Sequence, residues 1–408
     1  MLLFKNTLLI NGTGRTSMEN MDVLIEGERI AEVGRNIEAP ENAVVVNLQG
    51  KSLLPGLIEA HLHMGGLTEI SDLKNAAFGG RELTRDFSDL RESTLKHGVT
   101  TVRSCGDYLR DALRLRGEIE SGKLAGPRIV TCGCSFQRRG GHPGFTVWRS
   151  DSATLREAAA FPETREEAEE TVRMLADSGV DFIKIIMNSL NLSDPASARL
   201  PKIDIDIAEA ITRAAHRQGM LVAAHCENAW DGLKLVRMGV DDIEHLFLPS
   251  YKNLDAENEG LCEELFTLMA KNGTYLTPTA YVSTIHDPTG GAGNDAVPIF
   301  GKAYGMGVKL SMGTDSGAPG VYHGSSLHGE LEVMVREQGI PAAAVIKAAT
   351  QINSQLVGKS DRIGTVEPGK LADLLIVSGN PVENISDIRN VEMVLRNGKI
   401  VVDNFMSQ

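Results

Sequence analysis

The chain has 408 residues, 42% apolar and 23% charged, the balance of a folded globular protein with room for one large domain and a satellite. Its 41 basic and 54 acidic residues leave a net charge of −13 with no Lys/Arg block, which excludes nucleic acid and anionic membrane as natural partners. Cys105, Cys132, Cys134, Cys226 and Cys262 are odd in number and lack a framework spacing, so they are read as buried free thiols, not the staples of a secreted domain.

The opening MLLFKNTLLINGTG has apolar runs broken by Lys5, Asn6 and Asn11, which makes a strand and turn and not a signal peptide. No stretch reaches the ~20 apolar residues that span a bilayer, and a cytoplasmic protein is expected. MDVLIEGERIAEVG (21–34) places two short apolar runs around Gly27, a hairpin pattern, and AVVVNLQGKSLLPG (43–56) continues in the same style. Strand-like runs then recur at 56–61, 98–105, 128–134, 181–187, 220–225, 241–246, 274–282 and 308–315, most of them separated by helical stretches. The clearest helix lies in 161–179: Thr164 and Glu167 form a capping box, Val172, Leu175 and Ala176 an apolar stripe, and Gly179 the stop. Eight strands alternating with helices predict an α/β fold, a parallel (β/α)8 TIM barrel over residues 56–362. The polar stretches 135–150 and 188–202 follow barrel strands and should overhang the C-terminal face, where barrel enzymes work. At the end of the chain, ADLLIVSG (372–379) and MVLRNGKIVV (393–402), with Asn397-Gly398 as a turn, return to the β style. Chain termini often lie close together, so a small β-sandwich module built from residues 1–55 and 363–408 is expected.

The chemistry sits at strand ends. His61 and His63 are two apart on one strand, so both imidazoles point to the same side. Lys184 lies inside the apolar run DFIKIIM, where a charged ammonium is costly. A desolvated neutral amine there can take up CO2 as a carbamate and bridge two metals as a carboxylate would. His225 ends MLVAAH, His245 ends DDIEH and Asp315 ends VKLSMGTD. Each taken alone has an ordinary structural explanation. In a barrel these ends converge on one axis, and nitrogen and oxygen donors without thiolate suit Zn²⁺, with Mn²⁺, Fe²⁺ or Co²⁺ as alternatives.

These residues together resemble the amidohydrolase superfamily. LLPGLIEAHLH (53–63), with Glu59 where Asp is more usual, is followed in family order by GVDFIKIIM, LVAAHCEN, DDIEH and GTDSG (313–317), and DRIGTVEPGKLADLLIVSGNP (361–381) resembles the closing segment. GGHPGF (140–145) and the HG…EL pattern over 323–331 look most similar to the Xaa-Pro dipeptidase and amino-acid carboxypeptidase, or prolidase-like, branch. Pro143 and the NSLN stretch after Met187 depart from that branch. The resemblance implies a homo-oligomeric hydrolase of small molecules with two divalent ions. His61, His63 and Asp315 would hold the first ion, His225 and His245 the second, and carbamylated Lys184 would bridge them. His142 would polarise the substrate.

Two ions about 3.5–4 Å apart can share a hydroxide, which would attack the scissile carbonyl of a dipeptide or N-acyl amino acid. Asp315 would relay the proton to the leaving nitrogen and His142 would stabilise the oxyanion. Arg138, Arg139, Arg149 and Tyr251 are candidates for a substrate carboxylate, and His323 and His328 for the pocket wall. His97 and His216, near helix C-termini, are given no catalytic part. Three rivals stay open: a cyclic amidase of the hydantoinase kind; a one-metal deaminase or imidazolonepropionase-like enzyme, to which HCE (225–227) would lend a proton-transfer carboxylate; and a catalytically silent barrel scaffold.

Overall fold

Five short strands open the chain: β1 (Leu2–Leu9), β2 (Met18–Glu26), β3 (Arg29–Gly34), β4 (Val44–Asn47) and β5 (Lys51–Pro55). The computed structural model describes residues 1–65, 87–148, 152–189, 199–246, 256–286 and 299–405. The turn between β2 and β3 uses Gly27 at φ 57°, a left-handed position that glycine takes without steric cost.

Ten parallel-paired strands follow: β6 (Leu57–Leu62), β7 (Val99–Ser104), β8 (Arg128–Thr131), β9 (Ser135–Phe136), β10 (Ala159–Ala160), β11 (Phe182–Met187), β12 (Leu221–Cys226), β13 (Asp242–His245), β14 (Tyr275–Thr277) and β15 (Lys309–Leu310). They form a three-stranded sheet, β6-β7-β8, and a seven-stranded sheet, β10-β9-β11-β12-β13-β14-β15. Backbone bonds reach across the edges of both sheets. Asp181 N donates to Thr131 O (2.8 Å), and beyond β15 Ala60 N donates to Met312 O (2.9 Å) and His63 N to Ser316 O (2.8 Å). Helices between the strands pack against the sheets. In helix Arg165–Ser178, Thr164 Oγ1 accepts from Glu167 N, Gly179 at φ 85° ends the helix, and Val172 and Leu175 are fully buried. Glu167 reaches back to Glu163 N (2.7 Å), one residue upstream of where a capping box would put it.

Two expected strands are shorter than their apolar runs. The run 274–282 stops as a strand at Thr277, because Pro278 offers no N–H and Thr279 turns left-handed at φ 48°; a helix, Ala280–His286, follows. The run 128–134 divides into β8 and the neighbourhood of β9 around Gly133 at φ 64°.

The last strands, β16 (Leu374–Ser378), β17 (Val391–Arg396) and β18 (Lys399–Asp403), return to the beginning of the chain. All the terminal strands make one eight-stranded sheet, β18-β17-β16-β5-β1-β2-β3 with β4 beside β1. The seam is antiparallel, pairing Leu375 with Leu54 and Leu374 with Pro55. Asn397 (φ 49°) and Gly398 (φ 72°) both take the left-handed conformation that a two-residue hairpin turn needs. Phe4, Leu9, Val23, Leu53, Leu374, Ile376, Met393 and Leu395 form the fully buried core of this sheet. All five cysteines are buried and unpaired. Among the described residues no helix is long and apolar enough to cross a membrane.

Candidate metal centre

Strand register brings the predicted donors together. β11 pairs β12 with Lys184 opposite Ala223 and Ile186 opposite His225, and β12 pairs β13 with His225 opposite Glu244 and Cys226 opposite His245. Residues two apart share a side, so Phe182 and Lys184 lie on one face, as do Ala223 and His225. Phe182 and Ala223 belong to an apolar cluster with Ile58, Cys105, Val130 and Cys132, and the polar donors sit above it toward the strand C-termini. Small Ala223 leaves the lysine stem its space.

Backbone strain completes the arrangement. Asp242 and Glu244 share one face of β13, and plain alternation would send His245 to the other. His245 instead adopts φ 72° and Asp315 φ 62°. Left-handed backbone at a non-glycine residue costs about 1–3 kcal/mol and gathers at functional sites. At His245 it turns the imidazole toward His61 and His225, with ring centroids 4.6 and 4.4 Å away. Gly313 lets the segment after β15 lie against β6: a Cβ there would come within 2.7 Å of His61 Cβ and 2.8 Å of His61 N.

Asp315 Oδ1 lies 3.3 Å from His61 Nε2 and 3.2 Å from His63 Nε2. The ligand atoms of His61, His63 and Asp315 all fall within 4.8 Å of one another, the reach of one cation. The opposite sides of the His63 and His245 rings are hydrogen-bonded by the protein, and that of His61 lies against a carboxylate without hydrogen-bond geometry. His61 Nδ1 is 3.0 Å from Glu244 Oε1, His63 Nδ1 is 3.0 Å from Gly106 O, and His245 Nδ1 is 2.7 Å from Thr279 Oγ1. His225 is the exception, with Asn188 Nδ2 3.0 Å from its Nε2. Lys184 Nζ touches the Glu244 carboxylate, and both side chains are buried.

Burial governs the charge states. It pushes His61 down to about 3, aided by nearby Lys184, and it drives His225 and His245 well below the ordinary histidine value. Burial also lowers Lys184, the direction that favours a neutral amine. For Asp315, burial raises the carboxyl, but His61 and His63 outweigh it and hold the group well below its usual range. His63 moves the other way: burial lowers it, but Asp315 outweighs burial and raises it. Neutral His61, His225 and His245 beside an ionised Asp315 are the donor states that metal binding requires. These nitrogens and oxygens, buried except at the half-buried His63 and Asp315 and with no thiolate among the six, fit a divalent ion.

The remaining predicted residues are placed differently. His142 stands beside the cluster, its ring 5.3 Å from that of His225 and its Nδ1 2.6 Å from Thr146 Oγ1; burial lowers it to about 4. His323 Nε2 bonds His63 O (2.9 Å) and so braces a donor strand. Arg138 pairs with Asp204 (3.1 Å) and Arg139 stacks 4.7 Å over Phe161, so both are engaged away from the histidines. Arg149 and Tyr251 lie outside the described residues. His328 bonds the carbonyl of His97 (2.8 Å), and His216 contacts Asp241 (2.9 Å).

Sequence reasoning missed an inner polar layer. Arg103, 1% exposed, pairs with Asp242 (2.6 Å) and Glu244 (3.3 Å), and lies 4.0 Å over the Phe182 ring. Asp107 accepts from Met64 N (3.0 Å) and Ser104 Oγ (2.6 Å), pinning the turn after His63. Glu59 accepts from Thr314 N (2.9 Å) and Oγ1 (3.0 Å) and from His61 N (3.1 Å), tying β6 to the Asp315 segment. A usable signal existed: a lone arginine inside the strand-like run VTTVRSC, and two carboxylates two apart, Asp242 and Glu244, inside DDIEHL.

Comparison with known proteins gives consistent matches along the chain. The sequence profile described as "Amidohydrolase family" matches residues 52–401. An imidazolonepropionase from Geobacillus thermodenitrificans (strain NG80-2) is 25% identical over 427 residues, covering 95% of this chain and 91% of that protein. A crystal structure of a Xaa-Pro dipeptidase with methionine bound in its active site superposes with TM-score 0.80 at 29% identity, covering 98% of this chain and 99% of that one. Aspergillus niger ochratoxinase shares the fold, with TM-score 0.81 at 20% identity over 99% and 96% of the two chains.

Proposed function

This chain belongs to the amidohydrolase family, hydrolases of carbon–nitrogen bonds, and from that premise we propose that it cleaves the amide of a dipeptide or N-acyl amino acid at a centre of two divalent ions, Zn²⁺ by preference. The observation that carries the reading is the convergence of His61, His63 and Asp315 within 4.8 Å, with His245 and His225 packed ring against ring beside them. In this reading His61, His63 and Asp315 would hold one ion and His225 and His245 the other, with Lys184, as a carbamate, available as a further oxygen ligand. The Xaa-Pro dipeptidase superposition favours the peptide-like substrate. We also read the two parallel sheets as one closed barrel over 56–362, supported by the Ala60–Met312, His63–Ser316 and Asp181–Thr131 bonds. Residues 1–55 and 363–408 then form the satellite module of a cytoplasmic homo-oligomer. The five buried free thiols accord with a reducing compartment.

Bound divalent ions supply an acidified water and a polarised carbonyl at neutral pH. The protein's own groups supply the rest. Asp315 is the proton carrier: its carboxylate is held ionised, is 20% exposed toward substrate, and can take a proton at Oδ and return it to the leaving nitrogen. His142 is the oxyanion partner. Thr146 Oγ1 can donate to Nδ1 at 2.6 Å, which leaves Nε2 as the N–H donor of a neutral ring. Arg103 balances Glu244 beside Lys184, so that the anionic oxygens of a carbamate on Lys184 would not meet an unpaired carboxylate.

One observation favours a second reading, ring opening of a cyclic C–N bond. Glu227, two residues past His225, is 2% exposed and accepts from Ser189 N, and an imidazolonepropionase is among the relatives. A library of dipeptides and N-acyl amino acids, assayed beside cyclic amides with Zn²⁺ and bicarbonate supplied, separates the two. Cleavage of linear amides with two ions per chain supports the proposal. Ring opening with one ion per chain moves the assignment to the second reading. An ion-free protein that hydrolyses none of them refutes both.

A further inference from the structure

The seam between β6 and the segment after β15 is irregular in two ways. The bond from Ala60 N to Met312 O (2.9 Å) sets Met312 beside Glu59, and higher up Leu62 bridges Ser316, with His63 N donating to Ser316 O (2.8 Å). β6 thus advances three residues, Glu59 to Leu62, while its partner advances four, Met312 to Ser316. The extra residue is taken up at Thr314 and Asp315, whose N–H groups share one acceptor, His61 O (3.2 and 2.9 Å). A bulge of this kind bends the strand and re-aims a side chain, and this one carries Asp315 at φ 62°.

Below the bulge, a side chain replaces a rung. A regular parallel ladder would follow the Ala60–Met312 bond with one from Met312 N to Ile58 O. The carboxamide of Asn353 stands in that place. Its Oδ1 accepts from Met312 N (3.0 Å), and its Nδ2 donates to Ile58 O (2.5 Å) and Met312 O (2.8 Å). Two carbonyls and one N–H as partners fix which end of the amide is oxygen. Asn353 is fully buried and directly follows a π-helical turn, Ala348–Ile352. Such turns are rare inside helices and gather at functional sites. An amide held between two strands keeps them further apart than a direct rung would.

Resting on the reading that His61, His63 and Asp315 hold an ion, we propose that Asn353 is a positioning residue: its carboxamide is a wedge in the β6 seam that sets the spacing from which the Asp315 carboxylate reaches both histidines. The Asp315 Oδ1 distances of 3.3 and 3.2 Å to the two Nε2 atoms are the geometry it maintains.

The test combines amide hydrogen exchange, resolved by mass spectrometry, with ion retention of the full chain under graded chelator. In wild type the Met312 amide should exchange slowly and two ions should stay. Asn353→Leu, similar in size but without polar atoms, should speed Met312 exchange roughly 5–150-fold, the equivalent of leaving a buried group unpaired. It should also release one ion at roughly 10–100-fold lower chelator, as loss of a supporting contact does. Exchange in β11 and β12, across the site, should stay at the wild-type rate. Asn353→Asp can still accept from Met312 N but cannot donate, so it should release the same ion while Met312 stays protected. Retention of both ions like wild type in a folded variant overturns the inference. So does a rise in exchange shared equally by β11 and β12 with both ions lost together, which would mark a general packing residue. If neither variant folds, wild type still decides: a Met312 amide that exchanges as freely as an exposed turn rules out the wedge, and a slow one upholds it. A wild-type chain that binds no ion defeats the proposed function instead, and leaves the exchange measurements to judge the wedge.

Discussion

Replacing Arg103 with methionine should be among the most damaging single changes near the site. The guanidinium is 1% exposed and its two carboxylate partners, Asp242 and Glu244, are fully buried. It also donates to Ala60 O (3.3 Å) and covers the Phe182 ring at 4.0 Å. Methionine keeps much of the stem's volume, so the packing loss is small and the electrostatic loss dominates. Removing one partner of a buried ion pair costs about 3–5 kcal/mol, because the abandoned charge stays buried. At ~2–4 °C per kcal/mol for a large domain, the thermal midpoint should drop by roughly 6–20 °C. Urea unfolding followed by circular dichroism, at fixed ion loading, measures the change. The control is Arg103→Met with Asp242→Asn: deleting the stranded charge should recover part of the loss, giving a coupling of about 0.5–3 kcal/mol. A single-variant cost below about 1 kcal/mol, or a cycle additive within ~0.5 kcal/mol, would refute the account.

Asp315→Asn keeps the shape of a carboxylate but cannot carry the proton, so turnover should fall by at least about 10²–10⁴-fold with unchanged circular dichroism; near-normal rates would remove Asp315 from the proposed chemistry. Gly313→Ala drives a Cβ to 2.7 Å from His61 Cβ and 2.9 Å from Thr277 Cγ2, so it should cost about 1–3 kcal/mol and loosen ion retention, and a variant as stable and ion-tight as wild type would contradict that close packing. Glu330, fully buried and accepting from Ala280 N (3.0 Å) and Tyr281 N (2.6 Å), is pushed up by burial from 4.5 to about 8. The folded chain therefore holds a proton that the unfolded chain releases as pH rises through that window, and this contribution, complete below 4.5, is lost by passage through 8. Glu330→Gln cannot titrate, so its deficit in thermal midpoint should narrow from about pH 5 to about pH 9; parallel curves would show that Glu330 does not carry the shift.

The alternation of strands and helices was legible because each element obeys a local rule: the Thr164 cap and Gly179 stop, the Asn397-Gly398 turn, the apolar strand runs. The six residues proposed as donors stood out for a related reason, since a histidine or lysine at the end of an apolar run conflicts with burial and asks for an explanation. The run 274–282 misled because its apolar character hid Pro278, whose missing N–H ends the strand. What could not be read was anything made by two distant segments. Arg103 finds Asp242 across 139 residues, Glu59 finds Thr314 across 255, and Glu244 meets both His61 and Lys184 only once the parallel strands are in register. Asn188 was visible only as a departure from a pattern, with nothing to say that it would reach His225. His245 marks the boundary between the two kinds of information. Its residue type pointed to a donor, but β13 already turns Asp242 and Glu244 to one side, and only a left-handed backbone lets the next residue join its partners. A residue that must break the period of its own strand to reach the others has been paid for in strain, and that strain is independent support for the centre proposed for the six residues.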